Sequence, residues 1–286
     1  MALIYNASFD SQNRVLSLLD KAGNVISSCE VPSKSNELTL TATADKSSVK
    51  LIIKKGTLSN TYEVDTGNGW QSYTFGTVIP LNTGQSCKWR CSAHPTTQST
   101  SNYVQFEMTG TIEASGNCNS MLSSDFENIT SLSEYEYAFY SLFRDCKSLT
   151  KAPSLPAMAL GGNCYQNMFG GCESLTQAPE LPATRLTFSC YAFMFSMCKS
   201  LMQAPLLPAK YLYQYCYQNM LSGCSKLKEV RIAATSIAKD ALLWWLSEVP
   251  SPGDFYCDPY TTFPSGTSGI PSGWRRLNIN NYPSTP

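Results

Sequence analysis

Leu175-Thr-Gln-Ala-Pro-Glu-Leu-Pro-Ala183, followed by Leu186, Cys190-Tyr191, Met194 and Cys198, decides the fold, because the pattern occurs three times. The copy before it opens Leu149-Thr-Lys-Ala-Pro-Ser-Leu-Pro-Ala157 and runs through Leu160, Cys164-Tyr165, Met168 and Cys172. The copy after it opens Leu201-Met-Gln-Ala-Pro-Leu-Leu-Pro-Ala209 and runs through Leu212, Cys216-Tyr217, Met220 and Cys224. Aligned without a gap, 149–174, 175–200 and 201–226 share eleven of 26 columns. A period of this size marks a stacked repeat, in which no copy can bury its apolar face alone and neighbours supply the cover. Weaker copies flank the three: Tyr137-Ala-Phe139 with Cys146 on one side, Leu227-Lys-Glu-Val-Arg-Ile232 on the other.

Within one copy, Leu175 and Leu181 face a narrow core from a short strand that Pro182 ends, and Leu186 fills the next layer. Cys190, Met194 and Cys198 fall at i, i+4 and i+8, which predicts a short returning helix with one inward face. Pro153, Pro179 and Pro205 recur mid-strand, each removing a ladder donor. The strand column is therefore expected to be short or kinked there.

The twelve cysteines follow the same logic. An even count suits disulfides in a secreted chain, but Cys146, Cys172, Cys198 and Cys224 stand 26 apart, as do Cys164, Cys190 and Cys216. The expected core is thus these seven thiols, reduced and buried, with Met168, Met194, Met220, Leu175 and Leu181. Zinc takes closer ligand pairs, so no metal and no cofactor is expected. Cys87, Cys91 and His94 form a loose cluster. On a strand the two thiols share a face ~13 Å apart, too far for one ion or a disulfide.

Outside the array the pattern is β. Residues 1–35 read as a β anchor segment, with Val15–Leu19 and Val25–Cys29 as hairpin strands around Asp20–Asn24. Residues 36–114 carry short Thr-, Val- and Tyr-rich strands separated by turns such as Asp65-Thr-Gly-Asn-Gly69, which predicts an antiparallel, immunoglobulin-like sandwich. Pro80 belongs at an edge. The array spans 115–250, closed by an amphipathic helix over Thr235–Val249. A cap and tail, 251–286, holds strands at Asp254–Cys257 and Gly273–Ile279. The expected class is mainly β with short helices: an N-terminal hairpin and sandwich, then a solenoid of 26-residue repeats with a C-terminal cap.

Composition removes several functions. Lys+Arg and Asp+Glu are both 21, so the cationic surplus that a nucleic-acid binder needs is missing. An apolar share of 43% with 12% aromatics excludes a disordered chain. The longest apolar run, Ala241–Leu246, is too short to span a bilayer. Met1–Ser8 has neither a basic n-region nor a long apolar h-region, so no secretory signal is expected. His94 is the single histidine. A Ser-His-Asp triad would have to use it, yet no GxSxG stands nearby. Glu134 and Glu136 read as a charged face rather than glycosidase acids. The chain is not expected to be an enzyme.

Binding residues are sought where copies differ. On the strand side these are Gln177, Glu180 and Gln203. On the following loop Tyr211, Tyr213 and Tyr215 replace smaller residues, and such rings stack on sugars or protein surfaces. Tyr165, Tyr191 and Tyr217 are identical across copies and read as structural.

The pattern Cys-x-Ser-Leu-x-x-Ala-Pro-x-Leu-Pro-Ala, then Cys-Tyr-x-x-Met-Phe-x-x-Cys, resembles the BspA-type leucine-rich repeats of surface proteins from gut Bacteroidales and of phages that infect them. Gly269-Ile-Pro-Ser-Gly-Trp274 is similar to the end segment of such arrays. The resemblance covers about half the chain. It implies adhesion to surfaces, proteins or glycans, and carries no catalytic residues. Without an export signal, the chain looks like a head-fibre or tail-fibre protein of crAss-like phages. That implies a homo-oligomer on the virion surface, docked through its N-terminal segment onto other capsid or fibre proteins and facing a host glycan or protein, with no membrane span. The alternative is a bacterial cell-surface adhesin of a Bacteroidales-type organism.

Overall fold

The computed structural model describes residues 6–10, 15–19, 25–30, 36–58, 62–92 and 98–282. His94 lies outside them. Met1–Asn36 and Glu37–Pro286 form separate compact units. In the first, Asn6–Asp10 (β1), Val15–Leu19 (β2) and Val25–Glu30 (β3) form an antiparallel sheet in chain order. Ser17 pairs with Ser8 on one side and Ser28 on the other.

The second unit begins with eight strands: Leu38–Ala42 (β4), Ser47–Lys55 (β5), Tyr62–Asp65 (β6), Gln71–Ser72 (β7), Ile79–Leu81 (β8), Ser86–Cys91 (β9), Tyr103–Thr109 (β10) and Ile112–Ser115 (β11). They divide into a sheet β10-β5-β8 and a sheet β11-β4-β9-β6-β7. Period-two alternation turns Leu38, Leu40, Val49, Leu51, Cys87, Trp89 and Cys91 into one shared core. Trp89 packs edge-on against Phe106, with centroids 5.1 Å apart. Pro80 sits in β8, an edge strand, where a missing donor costs no ladder bond. The Asp65 carboxylate closes the β6–β7 turn by accepting from the backbone of Gly67 and Gly69.

From residue 131 to 278 the chain is a β-solenoid of about six turns. Its strands are short and parallel: Ser131–Leu132 (β12), Leu149–Lys151 (β13), Ala159–Leu160 (β14), Gln203–Leu207 (β15), Tyr211–Leu212 (β16), Glu229–Ile232 (β17), Ser236–Ile237 (β18), Asp254–Cys257 (β19) and Arg275–Asn278 (β20). The front ladder starts on β11, which pairs with β13, and ends in the sheet β15-β17-β19-β20. It continues past residue 250, where the sequence pattern fades, because β19 and β20 add two more parallel rungs. No break falls at residue 114 either, since β11 belongs to both the antiparallel sheet and the ladder.

The prolines act as expected of residues without an N–H. β13 stops two residues before Pro153, and in this column the segment containing Pro179 keeps a single bridge, Lys151 to Gln177. The β15–β17 register shifts between Gln203 and Leu206, across Pro205. In the next coil the position carries an arginine, and β17 pairs with β19 without a shift over four residues.

The back of the solenoid corrects the sequence reading. Cys190–Cys198 is not a helix, nor is Thr235–Val249; among the described residues the only helices are three single 3₁₀ turns. Every fourth residue is left-handed instead: Asn163, Asn167 and Gly171 in one coil, Ser189, Phe193 and Met197 in the next, then Tyr215, Asn219 and Gly223, then Asp240, Trp244 and Glu248. Such a residue cannot continue a right-handed helix. Alternate N–H groups close tight turns within the coil, as Met168 to Tyr165 O. The others reach the next coil, as Phe169 to Met194 O and Gly171 to Ser196 O. A helix would spend all its donors internally; this ribbon uses half of them to join coil to coil. Because four residues is close to the 3.6 of a helix, the inward i, i+4, i+8 face survives, and Cys190, Met194 and Cys198 are fully buried.

Inside, like stacks on like. Phe139, Tyr165, Tyr191, Tyr217 and Trp245 form one column of rings, 5.5 to 6.3 Å apart. Phe106, Phe143, Phe169 and Phe195 form a second, 5.2 to 5.7 Å apart. The thiols of Cys146, Cys172, Cys198 and Cys224 donate to the carbonyls of Phe106, Phe143, Phe169 and Phe195, at 3.1 to 3.2 Å. Strand β10 thus stands in for a preceding coil, supplying both the first ring and the first carbonyl. Cys164, Cys216, Met168, Met220, Leu175 and Leu181 are buried in the same core. At the far end the edge strand β20 carries Arg275 and Arg276, charges that discourage further pairing.

Candidate functional site

One junction departs from the rule that each coil pairs with the next along its front. No strand pairing or bridge joins 175–182 to 201–209, nor Arg185 to Tyr211, whereas the coils on either side are linked in both columns. The front ladder is therefore split between the second repeat coil (175–200) and the third (201–226). Pro179 and Pro182 face Pro205 and Pro208 here, but facing prolines alone do not make the break, since Pro153 and Pro156 face Pro179 and Pro182 at the preceding junction, where the Lys151–Gln177 and Ala159–Arg185 bridges remain.

Behind the split the coils stay joined. Tyr191, Phe193, Phe195 and Met197 donate to Cys216, Gln218, Met220 and Ser222 at 2.7 to 3.0 Å. The Phe169 and Phe195 rings below the second coil are within 3° of parallel. Tyr191 and Tyr217, across the split, diverge by 22°, and Tyr217 and Trp245, across the next and fully laddered junction, by 24°.

The front face of the second to fifth coils carries a groove of about 970 Å³. Ala178, Pro179 and Glu180 form one wall, and Met202, Gln203 and Leu206 the other. Charged groups of the following coils line its far end. Asp254 is held by both nitrogens of the Arg275 fork at 2.7 and 2.8 Å. Glu229 accepts from the Tyr282 hydroxyl at 2.9 Å, and Tyr282 also lies under the Arg231 guanidinium at 4.5 Å. Glu180 and Lys228 make no ion pair among the described residues.

The six residues expected to bind fall into two sets along this junction. Gln177, Glu180 and Gln203 line the groove. Tyr211, Tyr213 and Tyr215 do not; they form a ledge on the next side of the third coil. Tyr211 is 73% exposed and Tyr213 59%, with Leu212 buried between them, as alternation along an extended segment requires. Tyr215 is half-buried because Phe188 of the second coil packs edge-on against it, 5.5 Å away. Phe188 itself is 46% exposed. It was missed by sequence reasoning, although it stands where the other copies carry Gly162 and Gln214. Met202 and Leu206, 55% and 45% exposed, add two apolar side chains to the groove. Met158, Met197, Trp244 and Tyr260 are exposed elsewhere on the array, and Lys147, Glu173 and Lys199 form a chain of ion pairs at 3.0 and 3.1 Å.

Chemistry in the interior is quiescent. Cys87, Cys91, Cys118, Cys257 and the seven repeat cysteines are free and buried. Burial pushes the Cys87, Cys190 and Cys224 thiols up to about 12, and Cys172 and Cys198 well above their ordinary range. A thiol held protonated is neither nucleophile nor ligand. Cys87 and Cys91 share the inner face of β9, where the Trp89 indole N–H donates to the Cys87 sulfur at 3.2 Å. Among the described residues no group of three or more His, Cys, Asp or Glu is placed to hold a metal ion, and no helix is long and apolar enough to cross a membrane.

Comparison with known proteins finds no matching family model, no matching curated protein and no matching solved structure.

Proposed function

We propose that this chain is a non-enzymatic attachment protein of the virion surface, of the head-fibre or tail-fibre kind. In this reading the N-terminal hairpin strands mount the chain on other virion proteins. An immunoglobulin-like sandwich leads into a BspA-type leucine-rich array of 26-residue repeats, and the array displays the binding surface. The observation that carries the reading is the ledge at the junction of the second and third coils. Tyr211 and Tyr213 are solvent-facing on a rigid scaffold, with Phe188 and Tyr215 packed beside them. Rings held this way lose little entropy on contact and suit the apolar face of a sugar or a flat protein surface.

Two measurements test it. Mass spectrometry of purified virions is expected to detect the chain; its appearance only in outer-membrane fractions would replace the virion reading with a bacterial adhesin. On an array of host-surface polysaccharides, the chain should bind at least one glycan, and Tyr211→Ser/Tyr213→Ser should lose that signal. An unchanged signal in the double variant would remove the ledge from the binding surface.

A further inference from the structure

The surroundings of the ledge specify the charge of what it binds. Resting on the reading of the ledge as a binding surface, we propose that its ligand is an anionic polysaccharide, one that carries carboxylate or sulfate groups. Three cations flank Tyr211 and Tyr213. Arg185 holds in the second coil the position that Tyr211 holds in the third, 26 residues on. Each precedes a buried leucine, Leu186 or Leu212, so both side chains face outward. The two coils stay in contact on this side, where Phe188 meets Tyr215 at 5.5 Å. Lys210 is the chain neighbour of Tyr211, and its carbonyl accepts from the N–H groups of Thr235 and Ser236 at 2.9 and 3.0 Å. Lys239 arrives from the fourth coil, one residue after Ala238, whose N–H donates to the carbonyl of Leu212 at 3.1 Å.

Arg185, Lys210 and Lys239 are exposed, and none makes an ion pair among the described residues. The acid beside them is the half-buried Asp240. The groove has the opposite balance, with Glu180, Glu229 and Asp254 against Lys228 and Arg231. The chain carries 21 charges of each sign, so the surplus at the ledge comes from placement rather than composition. A charged saccharide matches both features of the surface. Its apolar ring face lies on a tyrosine, and its anions project sideways to the flanking cations. The Arg185 fork fits two oxygens of one carboxylate or sulfate, and the lysines reach anions of neighbouring units on flexible stems. An oligonucleotide also offers rings and anions. It brings a phosphate with every base, however, and calls for a longer basic track than three side chains.

The test is biolayer interferometry of the full chain on matched polymers: dextran sulfate against dextran, and polygalacturonate against its carboxyl-reduced form. In at least one pair the anionic polymer is expected to bind about tenfold tighter than its neutral partner. That advantage should fade between ~50 and ~500 mM salt, because exposed charges are screened. Arg185→Gln/Lys210→Gln should weaken the binding about tenfold, since each exposed pair adds up to a few-fold. Lys226→Gln, at an exposed lysine ahead of the front strand β17, should leave it unchanged. Tyr211→Ser/Tyr213→Ser should abolish it. A chain that needs the tyrosines but holds neutral and anionic polymers equally overturns the proposal and leaves the ledge standing as a binding surface. Binding that survives loss of the tyrosines overturns both. The proposal also falls if no polymer binds, if Lys226→Gln weakens binding as much as Arg185→Gln/Lys210→Gln, or if a single-stranded DNA oligonucleotide binds more tightly than the anionic polymers.

Discussion

Left-handed residues at every fourth position set the local energetics of the back ribbon. Gly171 and Gly223 take this conformation freely, and Asn163, Asn167 and Asn219 tolerate it. Glu248 occupies the column of Gly171 and Gly223 with a φ of 59°, exposed to solvent. Glu248→Gly is expected to stabilise the chain by up to ~1 kcal/mol, read as a higher urea midpoint. Gly223→Ala should cost ~1–2 kcal/mol, since its new Cβ would also meet the Met197 sulfur. The thiols give a second residue-level expectation. Cys190 and Cys224 rise from an ordinary 9.0 to about 12 on burial. Their protons are held more tightly in the folded chain, so the stabilisation is complete below pH 9. Above it the unfolded chain releases protons first, and stability falls by ~1.4 kcal/mol per pH unit for each such thiol until the folded value is reached. Urea midpoints at pH 8, 9 and 10 should drop between the last two; a flat profile would contradict buried, protonated thiols.

At the scale of elements, prolines shorten the front ladder and shift its register. Val230 sits inside the regular β17, pairing with Phe255 of β19. Val230→Pro should cost ~3 kcal/mol and release amide protection in both strands, by removing a donor where the ladder is intact. The kinking effect of Pro179 and Pro205 was readable from their spacing. The ribbon was not read, because four-residue and 3.6-residue periods cannot be told apart over nine residues. Both bury Cys190, Met194 and Cys198. A signal was nevertheless present: Asn, Asp or Gly recurs at Asp145, Asn163, Asn167, Gly171, Asn219, Gly223 and Asp240, residue types that favour left-handed backbone and disfavour helix interiors.

For the molecule as a whole, the antiparallel strands 38–115 serve as the solenoid's first layer. Phe106 stacks on Phe143 at 5.2 Å and its carbonyl accepts from the Cys146 thiol. Phe106→Ala is expected to cost ~3–5 kcal/mol, because it empties a site shared by two cores at once. Calorimetry should then show the melting temperature of the entire unit shift together, since ring and thiol columns run without interruption from β10 into the coils. The recurrence of Leu, Cys, Met and Tyr at 26-residue intervals was sufficient to establish that coils stack and which side chains point inward, because a shared column demands the same side chain from every contributor. Which backbone donors would find partners was beyond the reach of the letters. That depends on the coil lying alongside, and the three-dimensional arrangement alone left the second and third coils unbridged along the front, shaped the groove over the coils and set Phe188 against Tyr215.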